Sequence, residues 1–326
     1  MNLGIDSRTA AIFRRDPARR SARVVDYAVP VVFVLLWASG FVVPRAFAPY
    51  AEPLSFVAAR NTGAAAVLVL LALALRRRWP QTWANRIGLM WAGALLQGFF
   101  LMAGYWAIVG GLAVGVGALI GAMQPALTAL FAAFMVGEGL LRRQWVGLAL
   151  GFVGVAVVIS PKLASGEGHA SVILALVFLA GVACAAYASI YQKRFEHTGD
   201  ALTRTTLMFV GAAIPAALGA MLFEHGRVVV SFPLVAVYLW SVFALAIGAT
   251  MALLYLIQKG EAASAASLIY LVPPVSAVMA WLGFNEPIGW PLIAGFAITA
   301  LGVAMVQTSD VGGQMSDDRF KRSCDL

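Results

Sequence analysis

Apolar and polar positions alternate along this chain on the scale of whole helices. Ten long apolar runs, at about 27–48, 53–75, 86–109, 112–136, 144–160, 170–192, 202–223, 233–257, 262–284 and 288–307, are separated by short polar or basic connections. Each run supplies the roughly 17–25 mostly apolar residues needed to cross a ~30 Å hydrocarbon core as a helix. Period-two alternation is missing, and an open sheet leaves backbone groups unpaired in lipid, so strands are not expected. The pattern predicts an all-α integral membrane protein with ten transmembrane helices. Residues 1–26 are polar and basic, and the run after them is too long for a signal-peptide core and lacks a clear small-residue cleavage site. Residues 308–326 read as a solvated tail.

Composition agrees with that picture. Hydrophobic residues make up 61% of the chain, charged residues 12%, and the mean hydropathy is +0.86, far more apolar than an average soluble domain. The net charge of +8 does not point to nucleic acid, because the cations sit in short clusters between apolar runs. With the N terminus inside, nineteen Lys and Arg fall on the cytoplasmic side, in clusters such as Arg76–Arg78 and Arg142–Arg143. Only Arg45, Lys162 and Arg227 fall on the other side, and Arg60 lies within a span. This asymmetry predicts both termini in the cytoplasm and supports an even number of spans. Cys184 lies in an apolar run and Cys324 in the tail, so no disulfide framework is indicated.

The chain also repeats itself. Shifting residues 113–158 by 148 positions lays them, without a gap, on residues 261–306. Pro125 then falls on Pro273, Glu138 on Glu286, Gly147 on Gly295 and Gly154 on Gly302, with Val155-Ala156 on Val303-Ala304. About five spans separate matching points. An odd number of crossings inverts the second copy, the plan of many secondary transporters. The expected organisation is a basic cytoplasmic segment (1–26), a first five-helix repeat (27–160), a periplasmic linker (161–169), a second repeat (170–307) and a cytoplasmic tail (308–326).

Trp37-Ala38-Ser39-Gly40 with Pro44 in span one, Arg60 in span two, and the blocks from Pro125 to Glu138 and from Pro273 to Glu286 resemble the EamA type of the drug/metabolite transporter superfamily. The resemblance covers nearly all of residues 27–307. It implies a ten-helix, two-repeat carrier, usually an exporter of amino acids, other metabolites or drugs, in a bacterial inner (plasma) membrane. Among these the chain looks most like the YddG-like exporters of aromatic and other neutral amino acids.

Few residues within the spans carry chemistry. Arg60, eight residues after Glu52, sits roughly 12 Å into its helix. A charge there costs about 2.5–3.5 kcal/mol on insertion scales, so Arg60 should face protein or water. It reads either as an anchor or gate for a substrate carboxylate or as a structural Arg bonded to helix carbonyls. Pro125 cannot engage the carbonyl of Gly121, and Pro273 and Pro274 release those of Ile269 and Tyr270. Broken helices of this kind line binding cavities in transporters, although a kink healed by a hydroxyl or water is the simpler alternative. Gln124 adds a polar handle at the first break.

Further candidate substrate contacts are Trp37 and Phe41 in span one, Gln97 and Tyr105 in span three, Tyr187 and Tyr191 in span six, and Tyr255 in span eight. Span nine adds Ser267, Tyr270, Pro274 and Trp281, which share one helical face. Together they suit a mostly apolar pocket with a few orienting polar atoms; singly, each aromatic is more often packing or an interfacial anchor.

Glu138 and Glu286 fall at span ends, where helix-terminus or loop hydrogen bonding explains them better than proton transfer. The three His (His169, His197, His225) lie in loops, and a proton relay normally needs a buried ionisable group. No zinc signature, nucleophile elbow or phosphate-cradling loop is found, so neither an enzyme nor a metal or cofactor is expected. The expected partners are a small-molecule substrate and membrane lipid, with no nucleic acid, and the expected state is a monomer or weak dimer. A proton-coupled drug or metabolite antiporter, including a nucleotide-sugar carrier, is the alternative carrier; a membrane regulatory subunit is the alternative of another class.

Overall fold

The computed structural model describes residues 17–136, 140–164, 168–195, 198–250, 252 and 268–306. Eight of its helices are long and apolar enough to cross a membrane, and two shorter apolar helices complete the set among the described residues. In chain order they are α1 (Pro17–Phe47), α2 (Pro53–Ala74), α3 (Trp83–Val109), α4 (Val114–Val136), α5 (Arg142–Ala164), α6 (Gly168–Tyr191), α7 (Ala201–Phe223), α8 (Phe232–Ala249), α9 (Ile269–Phe284) and α10 (Trp290–Val306). The only strand-like pairing among the described residues is an isolated bridge between Ala51 and Val228.

Helix α1 starts ten residues before the predicted span, because Pro17 suits a first helical position and Ala and Arg continue the helix readily. Thr82 caps α3 by accepting the Asn85 N–H, which moves its start ahead of residue 86. Many large apolar side chains lie on the outer surface, Phe223 at 79% exposure for example. That is expected where the surrounding solvent is lipid.

The 148-residue offset extends beyond the stretch visible as sequence identity. Helix α2 begins at Pro53 and α7 at Ala201, 148 residues apart, and these two helices make the most extensive contact in the fold. Each end of the pair is fastened by an acid. Glu224 accepts from the N–H groups of Leu54 and Ser55 and from the Ser55 hydroxyl, all at 2.7 Å, and so caps the α2 N terminus. Glu52 accepts from the Arg227 N–H at 2.7 Å, which holds its carboxyl below the ordinary carboxylate range. Its 148-offset counterpart, Asp200, accepts from the Arg78 N–H at 3.1 Å at the other end of the bundle. One device thus closes opposite ends of the two repeats.

The inversion is visible where α5 crosses α10. Thr299 donates from its hydroxyl to the Gly151 carbonyl, and these two residues are 148 positions apart. On either side of that contact Gly147 faces Gly302 and Gly154 faces Gly295, pairs that the offset exchanges. Residues that are each other's counterparts touch only where a two-fold axis passes between them, so the repeats are related by a half-turn. The helices approach backbone to backbone there, as small residues permit. A Cβ on Gly154 would lie 2.8 Å from the Gly295 carbonyl oxygen, which cannot yield as a side chain does. Gly154→Leu is therefore expected to cost about 1–3 kcal/mol, read as a lower unfolding midpoint of the purified protein in detergent.

Candidate functional site

Both proline breaks are present. Helix α4 is interrupted by a turn at Ala122–Met123 and restarts at Gln124, with Pro125 second in the new segment. Helix α9 passes through a 3₁₀ turn at Ile269–Leu271 and restarts at Val272, with Pro273 and Pro274 in its first turn. One detail differs from expectation. The Ile269 carbonyl that Pro273 cannot engage is not left free, because the tight turn lets it accept from the Val272 N–H.

A second pair of irregularities gives no sign in the sequence. Helix α3 widens to a π-helix at Ala94–Phe99, and α8 does so at Trp240–Ala249. Shifting 94–99 by 148 gives 242–247, inside the second segment. The wide turns therefore occur at matched places in the two repeats, and such turns are frequent at functional sites.

The two π segments and the first proline break border a central cavity of about 730 Å³. From the π segments come Leu96, Gln97, Leu245 and Ala249, and from the first proline break Gln124. Trp37, Phe41, Arg60 and Tyr105 also line it, so six expected contacts (Trp37, Phe41, Arg60, Gln97, Tyr105 and Gln124) are brought together. Gln124 donates to the Ser189 hydroxyl at 3.3 Å, linking α4 to α6. Phe178 forms an aromatic wall with Phe41 and Phe100, with ring centroids 6.4 and 5.5 Å apart. Toward the Lys/Arg-rich end of the bundle the lining continues through Gln192, Arg204 and Thr205.

Other candidates lie elsewhere. Trp281 is 52% exposed on the outer surface, and Tyr187 packs edge-on to Phe131 and stacks with Tyr191, away from the lining. Tyr270, Pro273 and Pro274 border a separate narrow crevice with Leu119 and Phe296. Gly121 backs the cavity wall, where an added Cβ would meet the Phe41 ring at 2.8 Å; Pro125 is not among the lining residues. Tyr255, Ser267 and Glu138 lie outside the described residues. Residues not singled out from the sequence include Phe100, Phe178, Ser189, Gln192, Arg204 and Thr250. Arg204 and Gln192 resemble ordinary loop-flanking polar residues, so only their place at the cavity mouth reveals them.

Arg60 is only 5% exposed. Its Nη1 donates to Asn61 Oδ1 at 3.0 Å, while its Nε and the Asn61 Nδ2 have no partner among the described residues. No carboxylate and no histidine occurs among the described lining residues.

The end of the bundle away from the Lys/Arg-rich loops carries a cluster of polar contacts. Asn285, in the left-handed conformation at φ 53°, ends α9 and turns the chain. Glu286 then accepts from Arg45 Nε at 2.8 Å and from the Val114 N–H at 2.9 Å. Arg45 also donates to the Leu112 carbonyl at 3.2 Å. Three elements (the end of α1, the α3–α4 turn and the α9–α10 connection) meet in this clasp.

A bundle of inverted repeats around a central cavity, with π-helical segments at matched places of the two repeats on the cavity wall, is the plan of membrane carriers that bind a solute at the repeat interface. The EamA-like transporter family matches residues 27–160 and 172–308, and the chain belongs to it. It is similar to the uncharacterized transporter YvbV of Bacillus subtilis (strain 168), with 27% identity over 297 residues, spanning 90% of this chain and 93% of that protein. An uncharacterized transporter of Archaeoglobus fulgidus is 24% identical over 201 residues, 59% of this chain and 67% of its own length. A solved crystal structure shares the fold, with a TM-score of 0.57 at 18% identity over 86% of this chain and 95% of that one. The chain is thus a multi-pass membrane transporter.

Proposed function

We propose that this transporter exports small neutral or aromatic amino acids and related amphipathic solutes across a bacterial inner membrane. It works by alternating access of its two repeats, with both termini in the cytoplasm and without obligatory proton coupling. The observation that carries this reading is the central cavity. Its ~730 Å³ falls within the ~300–1,000 Å³ of small-molecule sites, and its lining is mostly apolar and aromatic with a few amides and hydroxyls, the usual makeup of such sites. The lack of a carboxylate or histidine among its described lining residues supports solute movement without a proton relay. Arg60 does not supply one, because a guanidinium stays protonated in proteins.

The test is counterflow in liposomes containing only the purified protein and preloaded with unlabelled phenylalanine. Labelled phenylalanine is expected to accumulate transiently, chemically unchanged, and to do so equally after an ionophore collapses the pH gradient. Accumulation that requires an imposed pH gradient, with protons moving in fixed ratio to solute, would show coupling and overturn the mechanism.

A further inference from the structure

We propose that Arg60, held by Asn61, is the subsite for a single carboxylate, so that the carried solute is recognised by its acid group and not by its amine. This deepens the function proposed above and rests on it.

Arg60 offers five N–H groups and no acceptor, yet it is almost fully buried at the cavity wall, with Nε unpaired. Its one bonded neighbour, Asn61, is completely buried and spends its carbonyl oxygen on Arg60 Nη1. Asn61 thereby fixes the guanidinium without neutralising it, and its own Nδ2 stays unpaired. Burying a cation this way is costly unless an anion completes it. Among the described residues the cavity lining contains no Asp or Glu. The missing negative charge is therefore assigned to the cargo.

Charge at the mouth has the same sign. Arg204, a second guanidinium, lines the cavity near the basic end. Among the described lining residues an ammonium finds amide, hydroxyl and backbone oxygens and aromatic faces, but no carboxylate.

The internal repeat sets the number of such sites. The 148-residue counterpart of Arg60 is Met208, and that of Gln97 is Leu245; both counterparts also line the cavity. The second repeat thus presents apolar groups where the first presents a charge and an amide. There is one anion subsite per cavity, matched to one negative charge, and an aromatic or aliphatic remainder of the solute has the Phe41, Phe100 and Phe178 wall to lie against.

The experiment measures binding of three probes that share one ring to the full-length protein in nanodiscs by calorimetry: phenylalanine, 3-phenylpropanoate and 2-phenylethylamine. The acid without an amine is expected to bind within about tenfold of phenylalanine, and the amine without an acid to bind at least about tenfold more weakly than either. Arg60→Gln is expected to weaken both acids by roughly 10–100-fold, the usual range for losing hydrogen bonds to a charged group. Arg60→Lys, which keeps the charge but loses the planar fork, should fall between them. If Arg60→Gln does not fold, the wild-type comparison of acid with amine and the Arg60→Lys value still decide. Equal binding of amine and acid by the wild type, or unchanged acid binding by both variants, overturns the subsite. The two proposals fail separately: phenylalanine counterflow that survives in both Arg60 variants removes the subsite alone, whereas acid-selective binding without counterflow removes the transport reading alone.

Discussion

Replacing Arg45 by Glu is expected to slow counterflow by roughly 10–100-fold. In the wild type Arg45 and Glu286 face each other at 2.8 Å, and each also holds a backbone group of the α3–α4 turn. The pair is one-quarter exposed or less, so its attraction is not fully screened, and charge-assisted hydrogen bonds of this kind contribute about 1.5–3 kcal/mol. Arg45→Glu replaces that attraction with two facing carboxylates and biases the bundle toward opening at this end. A shift of that size moves a two-state population by one to two orders of magnitude, and a carrier that must close this end in every cycle slows accordingly. The double variant with Arg45→Glu and Glu286→Arg restores the ion pair but not both backbone bonds, and should recover part of the rate. The companion measurement uses Ala249→Cys, with Cys184 and Cys324 replaced by Ser, and a membrane-impermeant thiol reagent added on the clasp side. Labelling should rise in Arg45→Glu and fall back in the double variant. Unchanged labelling together with an unchanged rate would mean that the clasp does not hold this end closed.

How much of this was legible beforehand depended on what the lipid environment lets a sequence express. The spans are readable because an apolar run must have the length of the membrane, and the half-turn because Pro125 and Pro273, Gly147 and Gly295, and Gly154 and Gly302 keep one offset. The same offset also relates Glu52 to Asp200 and the two π-helical segments. There the residues have diverged while the backbone has not, so no identity marks them. Within a span, the face expected for Tyr270, Pro274 and Trp281 assumes one regular helix, which the 3₁₀ turn at Ile269–Leu271 interrupts, and the direction of a face is not legible either. In water the apolar side of a helix marks the core; in a bilayer both the core and the lipid side are apolar. Trp281 consequently lies on the outer surface and Tyr270 at a separate crevice, while Phe178, in a featureless stretch of α6, faces the cavity. Polar residues are better guides, because their burial needs a partner or water: Arg60, Gln97 and Gln124 all line the cavity.

Gly40→Trp is expected to have the other large effect. Gly40 lines the cavity, and a Cβ built on it meets only Leu245 Cδ1, at 3.8 Å, an ordinary contact. A side chain can therefore leave the helix here without moving a neighbour, and replacing a helical glycine, if anything, favours the helix. The indole then occupies space between α1 and α8 that the solute otherwise uses. Overfilling a packed site costs about 1–3 kcal/mol, which corresponds to a loss of solute affinity of roughly 10–100-fold. Counterflow should fall by that factor, while the unfolding midpoint in detergent stays near that of the wild type. Gly154→Leu, whose new atoms strike backbone at the two-fold crossing, should lower the midpoint instead. Trp281→Leu, on the lipid-facing surface, should change neither. Normal counterflow in a well-folded Gly40→Trp protein would place the solute path outside the central cavity.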